Sequence, residues 1–183
     1  MTNTDLQPMI YQTLSRLEME NAALRQTLAQ HEFRQLEREL SSGAPFALEV
    51  HAPGGPTPAP PLLPGGDDPA LPRLPVPMGS FFGGEPGIAL PVIAVHDDGL
   101  TGARLAAALL GLITTQYRSP FARLLFLCSS PEAIPFLGRY GLIADWIGEA
   151  APAGRLDRLY RRYGATQIRS LGSGAVIARW VED

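Results

Sequence analysis

His96, Asp97 and Asp98 follow one another directly after a short apolar run, Pro91 to His96, and Gly99 closes the turn. An imidazole beside two carboxylates offers an acid or base and two hard oxygen ligands, the chemistry of proton transfer or of a Mg²⁺ site. Cys128-Ser129-Ser130 ends a second apolar run. A thiol at a helix start can have a lowered pKa. Cys128 reads instead as the last apolar residue of a strand, and the serines as helix caps. Asp145, beside Trp146 in a third run, adds another carboxylate. The candidate ligand-binding set is therefore His96, Asp97, Asp98, Ser129, Ser130 and Asp145, with no residue assigned a catalytic role and no metal or cofactor expected. The alternative is a polar turn in which Asp98 or Thr101 caps the next helix and Asp97 is solvated.

Composition removes several mechanisms. All fifteen basic residues are arginine. Without lysine there is no Schiff base, no Walker-type phosphate lysine and no kinase lysine. One cysteine, and histidines at positions 31, 51 and 96, leave no disulfide and no zinc-ligand spacing. The pattern GxGxxG is missing after the first strand. Gly172-Ser173-Gly174 reads as a hairpin turn rather than a phosphate cradle.

Arg155, Arg158, Arg161 and Arg162 lie around the polar side of one amphipathic segment, a basic face suited to phosphate or carboxylate. From residue 80 onward ten arginines meet nine acids, a balance that does not favour nucleic acid as a partner.

The elements that must position these groups divide the chain in three: a coiled-coil helix over 1–42, a Pro/Gly-rich linker over 43–79 and an α/β domain over 80–183. In the first part Ile10, Leu14, Leu17, Asn21, Leu24, Leu28, His31 and Gln35 recur at alternating intervals of four and three. That period keeps one seam facing a partner helix, with Leu14, Asn21, Leu28 and Gln35 at a and Ile10, Leu17, Leu24 and His31 at d. Asn21 at an a position favours a parallel, in-register dimer. Glu20 would face Arg25 of the partner chain, and Arg34 would face Glu39. A second apolar row, Phe33, Leu36 and Leu40, is out of phase, so that either the seam shifts or something docks there. The alternative is one amphipathic helix packed on its own domain.

The linker holds eleven of the eighteen prolines and six glycines, which favours an extended tether over helix or sheet. Three PxxP runs, Pro61 to Pro64, Pro69 to Pro72 and Pro72 to Pro75, fit a spacer. Phe46 to His51 alternates like a short edge strand.

In the third part apolar runs alternate with helical patterns: strand 91–96, helix 101–116, strand 122–128, a helix starting at Ser130-Pro131-Glu132 and stopping at Gly141, strand 142–147, helix 155–163, and a hairpin of 165–171 with 175–181. The order β-α-β-α-β-α-β-β implies a small Rossmann-like three-layer α/β domain, a mainly parallel sheet with a C-terminal β-hairpin. The acid pair after strand one with Asp145 in strand three resembles the acidic arrangement of a phosphoacceptor receiver domain, but that family's lysine is missing here and the terminal hairpin does not fit it.

The longest apolar run, Leu105 to Ile113, is too short to cross a bilayer, and the N-terminus lacks a signal-peptide pattern. A bacterial, cytoplasmic protein is expected, with a GC-rich codon bias explaining the missing lysine. The leading functional expectation is a non-enzymatic accessory or scaffold protein. It would dimerise through its helix and bind an unidentified protein through its α/β domain. The alternatives are a small Rossmann-type nucleotide- or nucleotide-sugar-binding enzyme or fragment, and a receiver-like signalling module.

Overall fold

The structure is a computed structural model. It describes residues 3–42, 72–83, 89–148 and 151–181, with side chains in the first helix from residue 10 onward. Phe46 to His51 and the first two PxxP runs lie outside the described residues.

Helix α1 runs without a break from Asn3 to Ser41. The domain then follows as β1 Val92–His96, α2 Gly102–Arg118, β2 Arg123–Cys128, α3 Ile134–Arg139, β3 Ile143–Trp146, a 3₁₀ turn at Pro152–Arg155, α4 Leu156–Tyr163, β4 Ala165–Ser170 and β5 Val176–Arg179. The sheet order is β3-β2-β1-β4-β5. The first four strands are parallel and β5 returns antiparallel. The expected α/β architecture is present, and its layout is compatible with a Rossmann-like fold.

Alternation along the strands builds a core on each face of the sheet. Ile93, Val95, Leu124, Phe126 and Cys128 point to one side, where Leu105, Leu109 and Ile113 of α2 and Leu137 of α3 cover them. Ala94, Leu125, Leu127 and Ile168 point to the other side, under Leu156 and Leu159 of α4. Gly164 ends α4 in the left-handed region, φ +74°, and donates its N–H to Tyr160 O at 2.8 Å. That conformation suits a residue without a Cβ.

The second apolar row of α1 has its own use. Leu36 and Leu40 are buried in the core over α2, and the Phe33 ring stacks on Tyr117 at 3.9 Å with 12° between planes. Arg139 of α3 donates to Glu39 at 3.0 Å, and Gln35 donates to the same carboxylate oxygen at 3.2 Å. The Arg34–Glu39 pairing expected across a seam therefore competes with an ion pair inside the chain. Glu20 similarly has Arg16 at 3.6 Å on its own helix.

Residues 72–79, which composition assigns to the linker, lie against the domain. Val76 and Met78 are buried, and Phe81 is fully buried beyond them. Leu74 N–H donates to Arg162 O at 2.8 Å, Arg123 donates to Val76 O at 3.0 Å and Ser80 N–H donates to Tyr140 O at 2.7 Å. Arg73 sits 5.0 Å from the centre of the Tyr160 ring, whose plane stacks on Trp180 at 4.2 Å. This strap crosses the ends of α4 and α3 and the start of β2. It then passes so close to α1 that a Cβ on Gly83 would come 3.0 Å from Gln26 Cα. Its prolines do not oppose this, because an extended strap bonded through a few chosen groups needs no ladder of donors.

Candidate functional site

The strand order puts β1 at the centre, with β2 on one side and β4 on the other. The chain moves from β1 toward β2 and later crosses back to β4, so the crevice of an open α/β sheet falls at the carboxyl ends of β1 and β4. The loop Asp97 to Thr101 and the turn Leu171 to Gly174 flank it.

Asp97 is buried, 4% exposed, which corrects the solvated alternative. One oxygen accepts the Ser129 hydroxyl at 2.6 Å and the Gly99 N–H at 3.1 Å, and the other accepts the Ser129 N–H at 2.8 Å. A buried carboxylate needs such donors, because an unmet one is costly. The two bonds from Ser129 fix the loop after β1 to the loop after β2, and the one from Gly99 closes the turn itself. The same charge helps to keep Cys128 neutral: burial first, then Asp97 and Asp145, push its thiol up to about 12. Cys128 is an inert core residue.

Asp98 does not cap α2. It takes a left-handed conformation, φ +56°, and reaches across the crevice. Its Oδ2 accepts the Ser170 hydroxyl at 2.6 Å and the Gly172 N–H at 2.9 Å. Ser173 donates its hydroxyl to Ser170 Oγ at 2.7 Å, behind that contact. Partial burial opposes the Asp98 charge, but the bonds from Ser170 and Gly172, with His96 beside it, outweigh burial and hold its carboxyl below the usual range.

His96 Nδ1 accepts the Asp98 N–H at 3.2 Å and lies 3.2 Å from Asp98 Oδ1, while Nε2 is 3.8 Å from Asp97 Oδ1. A ring with its proton on Nε2 accepts at Nδ1; one with a proton on Nδ1 donates there to the carboxylate. The hydroxyls of this cluster lie on the carboxylates, with Ser129 on Asp97 and Ser170 on Asp98, so the arrangement differs from that of a serine nucleophile activated by histidine.

The helix starts also differ from expectation. Thr101 occupies the cap position of α2 without a side-chain cap bond. Glu132, from the loop after β2, accepts the Gly102 N–H at 2.9 Å instead. Ser130-Pro131-Glu132 therefore does not open α3, which begins at Ile134. The Ser130 hydroxyl is buried without a hydrogen-bond partner. A carboxylate at a helix N-terminus satisfies free N–H groups and the helix dipole, and Glu132 provides this from thirty residues away.

The predicted ligand set is thus brought together only in part. His96, Asp97, Asp98 and Ser129 converge. Asp145 lies on β3, with β2 between it and β1. It is on the α4 side, where its charge, after burial, raises the Tyr163 phenol. Among the described residues no group of three or more His, Cys, Asp or Glu side chains is placed to hold a metal ion. Sequence reasoning missed Ser170, Ser173 and Glu132 as members of this network. Gly172-Ser173-Gly174 is the turn it was read as, and that turn also receives Asp98. The basic face is partly committed: Arg161 pairs with Asp157 at 3.0 Å, Arg162 donates to Pro72 O at 3.4 Å, and Arg158 is exposed.

Comparison with protein-family models, with curated proteins and with solved structures gave no match. No helix among the described residues is long and apolar enough to cross a membrane.

Proposed function

We propose that this protein is a non-enzymatic accessory or scaffold protein that pairs two chains through α1 and holds a protein partner on its α/β domain. One observation carries the reading: among the described residues the apolar seam of α1 has no partner. Ile10, Leu14, Leu17, Leu24 and Leu28 are each 49–65% exposed, on a helix whose described side chains are buried only from Ala29 onward. Five large apolar side chains in a regular row form a patch that favours association.

The polar groups at the strand ends support a binding module over an enzyme. Asp97 and Asp98 spend their oxygens on Ser129, Gly99, Ser170 and Gly172, and Glu132 holds the start of α2. A nucleotide at this crevice would have to displace two of the protein's own carboxylates. The strand order still favours the nucleotide-binding alternative, which is why the test has two arms. The composition, with a single cysteine and no lysine, fits a bacterial cytoplasmic setting.

Light scattering on the full chain at micromolar concentration should give the mass of two chains. Leu17→Glu with Leu24→Glu should give one chain with its domain still folded. A wild-type monomer would end the scaffold reading. In the second arm the full chain is melted with Mg²⁺ and a nucleotide panel. A concentration-dependent rise in Tm that Asp98→Ala alters would move the assignment to the nucleotide-binding alternative.

A further inference from the structure

The pairing just proposed leaves open where the two domains stand, and the structure bears on this through the two faces of α1. In heptad terms the domain is docked on b and f positions: Ala29, Phe33, Leu36 and Leu40 are the residues turned toward it. The seam uses a and d. At 100° per residue the midpoints of these two faces are about 150° apart. A second helix on the seam therefore runs along the side of α1 away from the domain. The strap behaves the same way, since Gly83 approaches α1 at Gln26, an f position on the face that the domain uses.

The polarity of the layers then selects a direction. In a parallel, in-register pair each seam residue meets its own copy. Five layers are apolar, and Asn21, His31 and Gln35 meet Asn21, His31 and Gln35. In an antiparallel pair every a residue meets a d residue. Full overlap sets Ile10 against Gln35, Leu14 against His31 and Asn21 against Leu24, leaving Leu17 with Leu28 as the one purely apolar combination. Sliding by a heptad to place Ile10 on Leu28 sets Asn21 on Leu17. The register that gives Asn21 a polar neighbour, His31, keeps only Leu24 with Leu28 apolar. An amide buried against leucine without a partner is costly, whereas two facing amides satisfy each other.

We infer that the occupant of the seam is a second copy of this chain running parallel and in register, so that both α/β domains stand at one end of a shared stalk, on opposite sides of it. This rests on the pairing reading above. The assembly is a two-armed fork whose arms present the same surface outward. Such a fork gains affinity only toward a partner that offers two equivalent sites, because the second contact then forms at high effective concentration.

The test uses full-length protein with Leu17→Cys, oxidised with glutathione disulfide and run without reductant. Cys128 stays out of the reaction because it is buried. The expected result is a covalent dimer from Leu17→Cys alone. It is strengthened if a mixture of Leu17→Cys with Leu28→Cys gives no 17–28 product. A Gly-Gly-Cys extension ahead of Met1, which leaves the seam untouched, should also cross-link. A mixed 17–28 product, with neither the Leu17→Cys nor the extended protein cross-linking alone, would overturn the fork while leaving pairing intact. A wild-type mass of one chain would overturn both.

Discussion

Leu28 and Ala29 are neighbours on α1 that face opposed surroundings: the leucine is 63% exposed and the alanine 3%. The change of face between them marks where the helix begins to bury against the domain. Toward the N-terminus its described side chains, 10 to 28, are exposed. Toward the C-terminus it is also part of the domain core, through Leu36 and Leu40.

That contrast makes a paired prediction. Leu28→Asp should weaken association at least tenfold and leave the domain's near-UV circular dichroism unchanged. Ala29→Asp should do the reverse in kind, lowering domain stability by about 3 kcal/mol through an unpaired buried charge. Sedimentation and urea unfolding of both variants read the two effects separately.

The loop after β1 is expected to be structurally expensive to alter. Asp97→Ala strands the Ser129 and Gly99 donors and should cost about 2–4 kcal/mol in urea unfolding. For the start of α2, Glu132→Ala should cost about 1 kcal/mol, whereas Thr101→Val should be close to neutral. Equal costs for these last two would mean that Thr101 caps the helix after all.

Acid titration should find Asp98. Its carboxyl is held below the ordinary value by Ser170, Gly172 and His96 against the cost of burial. A lowered folded-state pKa gives stability that is complete above the unfolded value, about pH 4, and is lost as pH falls through the folded one. The wild type should therefore lose part of its unfolding free energy below about pH 4, and Asp98→Asn should flatten that limb. An unchanged acid limb in Asp98→Asn would show that the bridge to Ser170 contributes nothing.

Cys128 should resist thiol reagents in the native state. Burial, with Asp97 and Asp145 nearby, pushes it up to about 12, so its labelling rate at neutral pH should follow the population of unfolded chain. Labelling that is fast in water and insensitive to urea would contradict the burial.

The order of strands and helices was legible in the sequence because each apolar run is bounded by turn residues, and Gly141 and Gly164 stop their helices where expected. What escaped depends on distance along the chain. Glu132 sits beside Ser130 and Pro131 in a motif that reads as a local helix start, yet it bonds Gly102. Asp98 reads as a cap for the helix that follows it, yet it bonds a turn more than seventy residues later. Each carboxylate had a local use and a remote one, and only the strand order β2-β1-β4 decides between them. Val76 and Met78 were hidden by the prolines around them, which set composition without deciding whether the segment docks.

The continuous α1 also bears on the order in which the protein can be completed. Synthesis proceeds from the N-terminus at about 5–20 residues per second, so α1 is finished several seconds before Tyr117 exists for Phe33 to stack on. During that interval both apolar faces of the nascent helix are bare, and Leu36 and Leu40 compete with the seam for any neighbouring chain. In the proposed pair Asn21 selects only among seam registers, because one that sets it against leucine buries an unpaired amide; a pairing along the Leu36 and Leu40 face leaves Asn21 out and is undone when α2 covers those residues.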